Sequence, residues 1–163
     1  MIFCGYAGVG KSTAARKLLG VVDLESTPFQ RDWETYARVA KHMSDQGYVV
    51  LVSCHNELRE ELRRIGAPYI VVYPEKNQKE IYRRRYIERG NTQEFINTQM
   101  EHWDEWVGAT QEWKDEDGWT QEESVIFLTT RSSGRIETMT DFLDDLFEYG
   151  EGIFDIMKPI KYL

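Results

Sequence analysis

A chain of 163 residues, 41% hydrophobic and 29% charged, has the size and composition of one folded domain. It is long enough to bury a sheet with helices on both faces and too short for a large second domain. No apolar run approaches the roughly 18 residues of a membrane span, and the net charge of −8 is unevenly divided, with 15 Lys/Arg against 11 Asp/Glu in residues 1–90 and 5 against 17 in residues 91–163. That division suits a small anionic ligand in a local basic cleft and argues against a broad nucleic-acid surface.

Residues 1–4 (MIFC) are a short apolar run, expected as the first strand. With a strand starting at residue 1 and no charged-then-apolar leader, a soluble cytoplasmic protein is expected, with no domain or targeting segment ahead of it. The run leads into GYAGVGKST, Gly5 to Thr13, which fits the pattern GxxxxGK(S/T) with Gly5, Gly10, Lys11 and Ser12 at the required places. A loop that wraps a polyphosphate needs glycine where a Cβ would clash, because backbone N–H groups must come close enough to donate to the phosphate oxygens. Lys11 would reach the outer phosphates as a point charge, and the Ser12 hydroxyl would ligate Mg²⁺. A helix over residues 12–19 would turn the positive end of its dipole toward those phosphates. Strand before and helix after are the context that separates this motif from a glycine-rich turn without a ligand.

A second strand over 21–24 ends in the segment DLEST and Pro28. Helix resumes near Arg31, with Trp33, Tyr36, Ala37, Ala40 and Met43 at three- and four-residue steps and Gly47 as its stop. YVVLVSC (48–54) and YIVVY (69–73) are nearly continuous apolar runs, the mark of strands buried on both faces of a parallel sheet, and a charged helix over 55–65 joins them. Further helices are expected over 78–88 and 92–113. The second carries a stripe of Phe95, Ile96, Gln99, Met100, Trp103, Trp106, Val107 and Trp113, whose tryptophans keep core periodicity more than that of a base-stacking platform. An acidic connector over 114–123 containing Trp119, a fifth strand over 124–129 and an amphipathic helix over 135–148 follow. Cys4 and Cys54 fall in strands, as reduced buried thiols, and no Cys/His spacing points to a metal site. The apolar and aromatic residues of the tail 151–163 suit packing on the domain or on a second copy, leaving monomer and homodimer both open.

Strands alternating with helices imply one α/β domain, in which ligands bind outside the C-terminal ends of the parallel strands. Two groups on that rim carry further chemistry. Asp23 and Glu25 follow the second strand and could take a proton from an acceptor hydroxyl, orient the acceptor, or hold Mg²⁺ through water; the bland reading is a pair of turn carboxylates. In YRRRYIERGN, residues 82–91, Arg85 and Arg89 share a helix face with Tyr82 while Arg83 and Arg84 point elsewhere. Clustered guanidiniums repel unless an anion sits among them, and arginines that close on a migrating phosphoryl group accelerate its transfer; the bland reading is a solvated face paired with Glu80 and Glu88.

The phosphate loop after strand one, the acidic motif after strand two and the arginine-rich helix after strand four together resemble the nucleoside-monophosphate kinase branch of the P-loop kinases. The stretches DLEST and RYIERGN are similar to those of the small adenylate-kinase-like proteins that bacteriophages encode. The resemblance spans most of residues 1–150 and implies a three-layer α/β/α P-loop NTPase fold with a five-stranded parallel sheet and a short helical lid at about 76–92. It implies that Gly8, Val9, Gly10, Lys11, Ser12 and Thr13 hold the phosphates of ATP with Mg²⁺. It places Arg83, Arg85 and Arg89 on the lid, and Asp23, with Glu25 and Arg31 or Arg38, facing the acceptor. His55 and Arg59 correspond to positions that hold the acceptor's base or phosphate, and TRSSGR, ending at Arg135, to the loop that cradles adenine. The acidic residue many family members carry at the end of strand three is absent, since this chain reads VSCHN.

The resemblance implies transfer of the γ-phosphoryl of ATP to a (deoxy)nucleoside monophosphate. Two alternatives stand beside it: a kinase for a hydroxyl acceptor such as a nucleoside, a sugar or a modified base in DNA, with Asp23 as base, and a regulatory module that binds nucleotide without transferring it.

Overall fold

In the computed structural model, which describes residues 1–108 and 124–149, five strands form one sheet: β1 (Ile2–Gly5), β2 (Val21–Asp23), β3 (Val49–Ser53), β4 (Tyr69–Pro74) and β5 (Ser124–Leu128). Their order is β2-β3-β1-β4-β5, and every neighbouring pair is parallel. The valine-rich centres of β3 and β4 account for this: Val50, Leu51, Val52, Val71 and Val72 are fully buried, as strands covered on both faces require. β1 is the central strand, with Gly5 aligned to Ser53 on one side and to Val72 on the other.

Among the described residues the α-helices are α1 (Lys11–Lys17), α2 (Trp33–Asp45), α3 (Asn56–Arg64), α4 (Lys79–Glu88), α5 (Gln93–Glu101) and α6 (Met139–Tyr149). The crossover from β1 to β2 runs one way along the sheet, and those from β2 to β3 and from β3 to β4 run the other. Right-handed connections then put α1 on one face and α2 and α3 on the opposite face, and the packing agrees, α1 lying against α6 and α2 against α3. The result is an α/β fold with helices on both faces of a parallel sheet. Because the chain leaves β1 toward one face and its neighbour β3 toward the other, the C-terminal end of β1 is the topological switch point, where ligands bind in such sheets.

Among the boundaries that differ from the sequence reading, three have a local reason. Helix α2 begins at Trp33 because Asp32 caps it, accepting from the Thr35 amide at 3.0 Å, while Gln30 and Arg31 take left-handed φ values of 49° and 67°. The helix expected over 92–113 ends at Glu101 and resumes as a π-helical turn, Asp104–Gly108. That break shifts the phase of the stripe, so Trp103 is fully buried but Trp106 is 37% exposed and stacks on His102. The reading of these tryptophans as core holds for Trp103 and not for Trp106; Trp113 lies outside the described residues, as do the 114–123 connector with Trp119 and the 151–163 tail. The last helix begins at Met139 instead of residue 135, because Thr130 and Ile136 form an antiparallel bridge and Thr138 and Asp141 exchange capping bonds, Thr138 N to Asp141 Oδ2 at 2.8 Å and Asp141 N to Thr138 Oγ1 at 3.4 Å. Among the described residues no helix is long and apolar enough to cross a membrane.

Candidate functional site

The loop from Gly5 to Thr13 occupies the switch point. Gly8 and Gly10 have φ values of 84° and 98°, a left-handed backbone that favours glycine. A Cβ on Gly8 would stand 2.9 Å from Tyr86 Cε1 and 3.2 Å from Tyr82 Cδ1, so the loop also needs glycine there for space. The loop's carbonyls are taken up from several directions. Gly5 O accepts from Lys11 Nζ at 3.0 Å, Ala7 O from the Tyr86 hydroxyl at 2.9 Å, and Val9 O from the Met139 amide at 2.8 Å. Arg85 makes a long contact of 3.5 Å with Gly8 O. The amides of Ala7, Gly8, Gly10, Lys11, Ser12 and Thr13 donate to no protein acceptor among the described residues. A run of unclaimed N–H groups on a tightly curved loop is an anion-binding nest.

The loop opens on a cavity of about 170 Å³, with Gly8, Gly10, Lys11 and Ser12 on one side and Glu25, Arg89, Asn91 and Phe95 on the other. This is smaller than the roughly 300–1,000 Å³ pockets that enclose whole ligands, and its size suits a small anionic group. Burial pulls the Lys11 ammonium below its ordinary pKa; Asp23 and Glu25 oppose that shift and Arg89 adds to it. Arg89 caps the C-terminus of α4 and has no ion partner among the described residues.

Beside this cavity the ends of β2 and β3 form a second half of the rim. The buried Tyr36 hydroxyl donates to Leu24 O at 2.5 Å and accepts from Ser53 N at 3.0 Å, tying the two strand ends together. Burial raises its pKa to about 12, so it remains a donor. Asp23 Oδ1 is buried there without a hydrogen-bond partner among the described residues, an arrangement that costs free energy unless a ligand or water satisfies it. The His55 ring lies 5.0 Å from Trp33; partial burial lowers its pKa, Glu57 opposes this, and Arg31 and Lys11 lower it further. Lys11, Asp23, Arg31 and His55 therefore come together around one rim.

Other residues singled out in the sequence are engaged by partners of their own. Arg83 faces outward, 3.6 Å from Glu80. Arg38 is paired with Glu34 at 2.7 Å on the exposed side of α2, and Arg59 bonds Asn56 at 3.3 Å within α3. Arg135 is held bidentately by Asp141 at 2.9 and 2.7 Å. The Val9 side chain is fully buried, so only its backbone belongs to the loop's surface. The segment 76–92, expected as a lid, is docked on the loop and the sheet. Tyr82 and Tyr86 are buried against the loop, and the buried Gln78 donates to Leu128 O at 2.9 Å, pinning the start of α4 to β5.

Sequence reasoning missed Tyr86, Asn91, Phe95 and the Thr138–Asp141 turn. For Tyr86 the signal was present: it lies four residues after Tyr82 and three before Arg89, on the face that meets the loop. For the turn it was the T-x-x-D spacing of a capping box. Compared with known proteins, the chain matches no protein-family model and no curated protein.

Proposed function

We propose that this chain is a magnesium-dependent phosphotransferase of the P-loop type, moving the γ-phosphoryl of ATP to a (deoxy)nucleoside monophosphate. The observation that carries the reading is the β1–α1 loop, whose unclaimed amides open on a cavity that also holds Lys11 and Arg89. An acceptor phosphate is already anionic at neutral pH and needs no base, so the protein's work is positioning and charge neutralisation. Lys11 binds the outer phosphates, Arg89 meets the migrating group, and Arg31 with the Trp33–His55 pair orients the acceptor. The donors present fit magnesium: the Ser12 hydroxyl and the Glu25 carboxylate line the cavity and Asp23 offers a buried, unpartnered oxygen, all hard ligands. Ser12 would hold the ion directly, with Asp23 or Glu25 acting through water; when bound it neutralises charge on the β- and γ-phosphates. Transfer of radiolabel from ATP, screened across nucleoside monophosphates and nucleosides, tests the assignment. Label on a monophosphate is the expected result, and ATP binding without transfer to any acceptor would sink it in favour of a regulatory module.

One observation favours a second reading. The unpartnered oxygen of Asp23 suits a group that receives a proton, as a kinase for a hydroxyl acceptor requires. On that reading Asp23→Asn lowers turnover by at least about 10²-fold with ATP affinity unchanged, the size of a lost general base. With a monophosphate acceptor the same variant loses less, because Asp23 then serves only the magnesium ion, through water and beside Glu25, and added magnesium restores the rate. Steady-state rates paired with a binding titration separate the two.

A further inference from the structure

We infer that Tyr86 is a positioning residue for the phosphate loop, its hydroxyl fixing the Ala7–Gly8 peptide so that the Gly8 amide faces a bound triphosphate. The inference rests on the reading that the loop binds polyphosphate. The motif itself specifies glycines, not the direction of its peptide planes, and glycine makes such planes easy to turn.

The structure supplies the missing constraint from outside the motif. Ala7 O accepts from Tyr86 Oη at 2.9 Å. A peptide is planar and trans, so fixing that carbonyl sends the Gly8 N–H the opposite way. The same device recurs two residues on, where the Met139 amide holds Val9 O at 2.8 Å and thereby directs the Gly10 N–H.

Tyr86 is itself held firmly. It is 1% exposed, and its ring meets Tyr82 at 6.2 Å and Phe95 at 5.3 Å, both edge to face. Burial raises its pKa well above the ordinary tyrosine value, which keeps the hydroxyl protonated and donating. A nest whose amides are directed before the ligand arrives binds without first ordering them. Tyr82 is the natural control: its ring also crowds Gly8, but its hydroxyl bonds no loop carbonyl among the described residues.

The test is calorimetric binding of inorganic tripolyphosphate and of a non-hydrolysable ATP analogue with magnesium to the full chain and to Tyr86→Phe and Tyr82→Phe, with thermal melts confirming that each is folded. Tyr86→Phe should weaken both ligands by the same factor, about three- to tenfold, the worth of one hydrogen bond. Tyr82→Phe should bind both as the parent does. The Gly8 amide resonance, which should move when tripolyphosphate binds the parent, should move less in Tyr86→Phe. Unchanged affinity in Tyr86→Phe, a loss confined to the ATP analogue, or an equal loss in Tyr82→Phe overturns the positioning role while leaving the phosphate site standing. A folded parent chain that binds neither ligand overturns the phosphate-binding reading itself.

Discussion

Lys11→Ala should lower the proposed phosphoryl transfer by at least about 10³-fold while leaving the protein as stable as its parent, or slightly more so. Removing one neutral donor aimed at developing charge costs about 10²–10³ in rate, and a charged donor away from bulk water is stronger still. An ammonium carries three donors, and Lys11 gives one to Gly5 O. The stability half of the prediction follows from the sign of the pKa shift. A lysine whose folded-state pKa lies below its ordinary value, as burial makes that of Lys11, is less favourably charged in the folded protein than in the unfolded chain. Near neutral pH that difference opposes folding, and deleting the charge relieves it. The lost Nζ–Gly5 O bond works the other way by about 1 kcal/mol, or about 2–4 °C in Tm for a chain of this size. The two effects offset in part. Label-transfer rates and thermal melts, with the exposed Lys17→Ala as control, check both halves. Transfer within tenfold of the parent would mean that Lys11 does not touch the migrating phosphates.

The loop was legible because it is built from local sequence. Its glycines, its lysine and the strand before it are contiguous, so spacing alone located them. The strands were legible for a related reason: in VVLVS and YIVVYP nearly every residue faces a neighbour, and continuous apolar runs need no knowledge of the partner. Helix ends were less legible, since they depend on single side-chain bonds such as Asp32 to Thr35 N and the exchange between Thr138 and Asp141. The phase change at His102 left no trace in the residue pattern, because Trp106 sits where an uninterrupted helix would have buried it.

Long-range placement was the least legible. A helical wheel put Arg85 and Arg89 on one face, and that face meets the loop. It could not show that Arg135 would be neutralised by Asp141, or Arg38 by Glu34, because each pairing depends on where a turn or a side chain comes to rest. The family resemblance grouped Arg83 with Arg85 and Arg89, and helix geometry separated them. Arg83 is exposed and turned to Glu80, as the geometry requires.

Arg89→Ala should therefore reduce the single-turnover rate by about 10³-fold with little change in ATP affinity, whereas Arg83→Ala should stay within about twofold of the parent. Arg89 lines the cavity that Lys11 and Ser12 also line, and with no ion partner among the described residues its guanidinium is available to charge that develops only during transfer. Arg83 is exposed and already paired with Glu80. Arg85 should behave differently from both. Its guanidinium lies 4.9 Å from the centre of the Tyr82 ring and reaches Gly8 O, so Arg85→Ala should weaken ATP binding more than it slows the chemical step. Arg89→Lys keeps the charge but loses the planar fork that grips a phosphoryl group, and it should fall between parent and alanine. Single-turnover rates beside equilibrium binding constants resolve the order. If Arg83→Ala were as damaging as Arg89→Ala, α4 would have to turn about its axis in the working protein and draw Tyr82 and Tyr86 away from the loop. Their burial against Gly8 opposes that movement, and α4 docked in this way leaves Arg89 as the arginine on which the proposed transfer would draw.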